Sequence, residues 1–119
     1  MSPRIRNSIA LVAVAALVGY FWWQGERFLA ANGPTFDEGV HLTAGYALWA
    51  HGDFRFNREH PPLLKFLWAA PLALGERPPF PDDVADATDN NHWHVANAFL
   101  YRTDSPPSRW LTPARRVNL

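Results

Sequence analysis

Asp37 and Glu38 are adjacent carboxylates, His41 follows within one helical turn, and His60-Pro61-Pro62-Leu63-Leu64-Lys65 lies about twenty residues on. Neighbouring helical residues point about 100° apart, so Asp37 and Glu38 cannot share one proton as a catalytic dyad does. A division of work is expected, with Glu38 serving the helix cap and Asp37 facing the same side as His41. Both acids also complement the positive end of a helix dipole, and spacing alone leaves that role open. In the second cluster a rigid diproline turn directs a helix with a lysine in its first turns, inside an apolar run. Lys65 there would either hold a phosphate at a membrane surface as a point charge or snorkel to water with its stem over Trp68. His92 and His94 would lie about 200° apart on a helix, and no third ligand is near in sequence, so no metal site is assigned to them. Asp82, Asp83, Asp86 and Asp89 lack the alternate-residue oxygens and the glycine of a calcium loop, which leaves a solvated loop. Arg115 and Arg116 are paired cations suited to lipid head groups or a lipid-linked phosphate.

The elements that must position these residues are helical. From Asn7 to Gly25 no residue is charged, and a helix of that length rises about 28 Å, close to the roughly 30 Å hydrocarbon core. Arg4 and Arg6 precede the run, and Tyr20, Phe21, Trp22 and Trp23 stand near its far end. That asymmetry predicts a cytoplasmic N-terminus with everything after the span outside. A cleaved signal peptide shares the basic start and apolar core, although Leu29-Ala30-Ala31 fits a small-residue cleavage site poorly. A soluble core helix is the third alternative, but an all-round apolar helix has no face to give to water. Thr35-Phe36-Asp37-Glu38 has the form of a capping box, with Thr35 as N-cap. Gly52 is a stop signal, and Pro71 should end or kink the helix that Pro62 opens. The expected organisation is a cytoplasmic N-terminus at 1–6, a transmembrane helix at 7–25 and an external loop at 26–112. The loop carries short helices at 36–51, 62–74 and 91–102, and Thr112-Pro113 opens a second transmembrane helix over 113–119.

Composition narrows the class. The chain has 119 residues, 11 basic and 11 acidic side chains, 11 prolines, six tryptophans and 48% hydrophobic residues. Such a chain is neither a disordered tail nor a coiled coil, and its balanced charge argues against a nucleic-acid partner. It contains no cysteine, which excludes a disulfide scaffold, a zinc ribbon and a thiol nucleophile. The apolar segments 40–49 and 63–74 are too short to span a bilayer and too small for a robust core of their own. Their expected place is the membrane surface, or a groove made by further chain.

In order along the chain, an apolar helix, Thr35-Phe36-Asp37-Glu38, His41, Ala44-Gly45, Gly52-Asp53, Glu59-His60-Pro61-Pro62-Leu63-Leu64-Lys65 and Pro71-Leu72 occur. This series resembles the N-terminus of the dolichyl- or polyprenyl-phosphate-sugar-dependent glycosyltransferases, the GT-C-fold relatives of protein O-mannosyltransferase and aminoarabinose transferase. Trp93, Phe99-Leu100-Tyr101 and Ala114-Arg115-Arg116 resemble the end of the first external loop in bacterial members. The specific part is the Asp-Glu and His-Pro-Pro-Leu-x-Lys combination. The resemblance implies an all-α membrane protein with one N-terminal transmembrane helix plus short interfacial helices, a partial GT-C fold. It implies sugar transfer from a polyprenyl-phosphate carrier to an acceptor on the non-cytoplasmic side of the inner (plasma) membrane. Asp37 would accept a proton from the acceptor hydroxyl, or orient a metal or the acceptor, with Glu38 supporting its position. Lys65, with Arg115 or Arg116, would neutralise the phosphate leaving group, and His60 would orient the loop or contact the carrier phosphate. His41 would complete the substrate-binding set. Metal use varies within such families, so no divalent metal is assigned as cofactor. The expected partners are membrane lipid, the lipid-linked sugar donor and the further transmembrane chain of full members, without which no transfer is expected. The competing reading is a single-span anchored interaction module with amphipathic external helices.

Overall fold

The computed structural model describes residues 2–85 and 91–119, and among them every regular element is helical. Six helices follow one another: α1 Pro3–Ala31, α2 Glu38–His51, α3 Pro62–Leu74, α4 Asp82–Ala85, α5 His92–Tyr101 and α6 Ser108–Arg116. The chain divides into two compact units, one built on α1 and the other covering Gly33–Asn118.

In α1, Pro3 takes the first turn, where its missing N–H costs nothing, and the Ser2 hydroxyl accepts the Ile5 N–H. The helix is longer than the uncharged 7–25 stretch: it starts at Pro3, runs on through Glu26 and Arg27, and closes where the Asn32 N–H and side-chain amide both bond the Phe28 carbonyl. Its 29 residues rise about 43 Å, enough to carry charged ends beyond a hydrocarbon core. None of its residues is buried, and its length and hydropathy suit either a membrane span or a signal sequence.

The second unit is a packed helical domain. Residues Leu42 through Ala47 of α2 are all buried, so this helix is the centre of the unit. Expectation and structure part here, since segment 40–49 lies inside protein and not on a membrane surface. What fills the core is aromatic: Tyr46 stacks on Phe99 at 5.1 Å, Phe99 meets Trp110 at 5.2 Å, and Leu72, Leu111 and Ala114 close around them. A second cluster joins Ala44, Ala47, Phe56 and Val95. Helices α2 and α3 cross where Gly45 faces the Lys65 carbonyl and the Ala69 methyl, and a Cβ on Gly45 would collide with both. Trp49 lies flat on Phe66 at 4.2 Å and donates its indole N–H to the Phe66 carbonyl. On α3 the buried residues are Lys65, Ala69 and Leu72, at four- and three-residue spacing, while Leu63, Leu64, Leu67 and Leu74 remain exposed.

Several boundaries differ from expectation, each for a local reason. Helix α2 begins at Glu38 with Asp37 as its cap, because the Glu38 carboxylate takes the Thr35 N–H while the Thr35 hydroxyl turns to Asp37. Gly52 stops α2 as expected, in the left-handed conformation that frees its N–H to return to the helix. Pro71 lies inside α3, which continues to Leu74 and closes when the Arg77 N–H reaches the Leu72 carbonyl. The 75–91 stretch is not all loop, since it carries α4. Helix α6 starts at Ser108 behind Pro107, with Pro113 inside it, and buries Trp110, Leu111 and Ala114. The expected start at Pro113, with Thr112 as cap, is five residues late because the Ser105-Pro106-Pro107 turn itself opens the helix. Asp86 and Asp89 lie outside the described residues.

Candidate functional site

At the start of α2 the Asp37 side chain is 62% exposed and its carboxylate lies 3.6 Å from His41 Nε2, one turn along. His41 meets the His60 ring edge-on at 4.7 Å and the Trp68 ring at 6.4 Å. Beside it opens a cleft of about 210 Å³ lined by His41, His60, Pro61, Leu64, Lys65 and Trp68. The left-handed turn at Asn57 and the diproline at 61–62 bring His60 to α2, while the buried stripe of α3 brings Lys65. Asp37, His41, His60 and Lys65 come from separate stretches of sequence, and the fold gathers them at one place.

Lys65 does not snorkel. It is 7% exposed, and its ammonium donates to the Asn57 main-chain oxygen at 2.5 Å and to Asn57 Oδ1 at 3.3 Å. Asn57 can hold it this way because its φ of 54° turns its carbonyl and side chain to the same side, a conformation asparagine tolerates better than most residues. Two bonds leave one of the three ammonium protons uncommitted among the described residues. Burial pushes the Lys65 amine below its ordinary value, with Glu59 opposing. Burial, then the neighbouring His60 and Lys65, push His41 below the usual histidine value, against the pull of Asp37. At neutral pH the cleft therefore presents a neutral imidazole between an exposed carboxylate and a desolvated amine. That set can accept a proton at one end and meet an anion at the other.

Glu38 and Arg115 form a different structure. Arg115 Nε bonds both Glu38 carboxylate oxygens at 3.1 Å, and a terminal nitrogen reaches Glu38 Oε2 at 2.6 Å and the Gly33 carbonyl at 2.6 Å. The side chains are 10% and 15% exposed. Arg115 is thus committed to fastening α6 to the entry of α2 and is not presented to a phosphate. Arg116 is exposed in the last turn of α6 and does not line the cleft. Asp83 binds Arg102 at 2.6 Å, and Asp82 lies 3.6 Å from His51. Among the described residues no three His, Asp or Glu side chains converge as a metal site. Asn57, which holds Lys65, was not singled out by sequence reasoning; a turn asparagine before a diproline was its only signal. No protein-family model, curated protein or solved structure matches the chain.

Proposed function

We propose that this chain is the N-terminal part of a membrane glycosyltransferase with a GT-C fold, its α1 spanning the membrane with the N-terminus cytoplasmic. The unit after α1 then lies on the non-cytoplasmic side of the inner membrane, and its cleft receives the phosphate end of a polyprenyl-phosphate sugar. The observation that carries the reading is the meeting of His41, His60 and Lys65 at one cleft with an apolar wall of Leu64 and Trp68, with the Asp37 carboxylate 3.6 Å from His41 at its edge. Lys65 offers its remaining N–H to the phosphate, where negative charge grows as the sugar–phosphate bond breaks. Asp37 takes the proton of the incoming hydroxyl, and neutral His41 holds the carboxylate and His60 in place. Glu38 supports Asp37 through its bonds to Thr35 and Arg115. At about 210 Å³ the cleft holds a head group and no more, so further spans must enclose the carrier, and this chain alone turns nothing over.

The test is carrier binding by the full chain in nanodiscs, followed by native mass spectrometry with undecaprenyl phosphate. Saturable binding that falls at least tenfold in Lys65→Ala is expected; equal binding by that variant overturns the assignment of Lys65. In a protein carrying this chain with its remaining spans, Asp37→Asn should abolish transfer while leaving membrane insertion intact. The exposed Leu63 and Leu67 of α3 favour a second reading, a single-span module that docks a partner. Absence of any carrier binding, with co-purification of a protein partner lost on Leu67→Glu, would select it.

A further inference from the structure

A second groove, of about 150 Å³ and sharing no lining residue with the cleft, runs between the entry of α2 and helix α5, lined on one wall by Thr35, Phe36 and Gly39. The opposite wall is Trp93, Asn97 and Tyr101, at four-residue spacing along one stripe of α5. Phe36 is 86% exposed, belongs to neither core cluster, and lies 4.4 Å from the Trp93 ring. Core packing therefore gives no reason for a phenylalanine there. The Thr35 hydroxyl, 3.4 Å from Asp37 Oδ1, connects this groove to the carboxylate.

We propose that this groove is a carbohydrate subsite that holds a sugar acceptor beside Thr35, the residue bonded to Asp37, and apart from the cleft that takes the donor phosphate. The proposal rests on the glycosyl-transfer reading and adds to it the chemical class of the acceptor. The face of an aromatic ring is electron-rich, and one face of a pyranose presents polarised C–H bonds while its hydroxyls project sideways. An exposed ring backed by a second one and flanked by an amide and two hydroxyls matches that division: the open face of Phe36, whose other side rests on Trp93, meets the C–H face, and Asn97, Tyr101 and Thr35 meet the rim. The Thr35 end is the one beside Asp37, so a hydroxyl bound there is the one whose proton Asp37 can take. Exposed aromatics also gather at membrane interfaces. This groove, however, sets an amide and two hydroxyls beside its rings, groups that can bond the rim of a sugar.

The experiment uses the full chain in phosphatidylcholine nanodiscs, labelled with 5-fluorotryptophan, and follows the ¹⁹F resonance assigned to Trp93 by its loss in Trp93→Phe. Methyl glucoside, methyl mannoside and methyl galactoside are titrated in turn. At least one should shift the Trp93 resonance saturably with a dissociation constant of about 1 mM, weakened at least tenfold by Phe36→Ala and kept by Phe36→Tyr. Because Phe36 is exposed, unchanged thermal unfolding of the Ala variant shows that folding is not the cause. No saturable shift with any of the three, or a shift that Phe36→Ala leaves untouched, overturns the proposal. Broadening of the Trp93 resonance by spin-labelled lipid without sugar also overturns it, in favour of membrane contact. Carrier binding through Lys65 is read separately: its loss with sugar binding intact refutes the donor cleft alone, and the reverse refutes this subsite alone.

Discussion

Replacing Arg115 with methionine should be among the most damaging single changes in the folded unit, although α6 keeps its buried Trp110, Leu111 and Ala114. The guanidinium makes three bonds to Glu38 and one to the Gly33 carbonyl, with both side chains at most 15% exposed. Removing one partner of such a buried pair costs about 3–5 kcal/mol, because the other charge is left desolvated and unpaired. Glu38 retains the Thr35 N–H, which puts the loss at the lower end, about 3 kcal/mol. For a unit the size of Gly33–Asn118 that is a fall in Tm of about 12–24 °C, a large share of a typical domain's stability. Glu38→Gln alone should cost about 2–3 kcal/mol, since Gln still accepts from Thr35 but strands the guanidinium. The double variant should cost about 3 kcal/mol and not the sum, a coupling of at least 2 kcal/mol. Chemical denaturation of wild type, both singles and the double, followed by far-ultraviolet circular dichroism in one detergent, measures all four corners. A coupling below about 0.5 kcal/mol would show that Glu38 and Arg115 do not hold each other, and the fastening of α2 by α6 would have to be abandoned.

Three further outcomes follow from other parts of the molecule. Gly45→Ala should destabilise by about 1–2 kcal/mol in urea unfolding despite its better helix propensity, because the new methyl meets the Lys65 carbonyl and Ala69; an unchanged midpoint refutes the close crossing. The folded state lowers the His41 pKa, so it binds that proton less readily than the unfolded chain does. Stability should be full above pH about 6.5 and decline as pH falls below it, a slope that His41→Gln should flatten; equal slopes in urea midpoints between pH 5 and 8 refute this. The chain has no cysteine, so Ser2→Cys and Gly33→Cys each carry a unique thiol. In intact cells an impermeant maleimide should label only the second, on a chain keeping its full 13.5 kDa; the opposite pattern reverses the orientation, and a shortened product identifies a signal peptide.

The helical class, α1, the Gly52 stop and the span of α3 could be read from periodicity and punctuation, since those signals act within a few residues of chain. So could the proximity of Asp37 and His41, which one helical turn imposes. The partnership of Glu38 with Arg115 could not, because nothing in either segment names a partner 77 residues away. Of the two places open to Lys65, the structure excludes snorkelling, the rule for a lysine on an isolated amphipathic helix, because here Asn57 supplies two oxygens inside the protein. The extent of the core is not legible either, because Tyr46 of α2 completes its cluster with Phe99, Trp110 and Phe80 from three segments remote in sequence. The pairing of Phe36 with Trp93 is not legible in the sequence, because its members lie far apart and nothing in the capping box or near Trp93 names the other.

The long reach between Glu38 and Arg115 also bears on how the protein is made. Helices α2 and α3 are close in sequence and can associate as they emerge, but α6 must be synthesised before it can fasten the entry of α2. At about 5–20 residues per second, the 77 residues between the two partners take about 4–15 s to add. Throughout that interval the Asp37 segment follows an already emerged apolar helix while Glu38 lacks its Arg115 partner. A cell making this chain therefore holds it for seconds with its most polar turn unfastened, a window in which membrane insertion factors or chaperones would find α2 accessible.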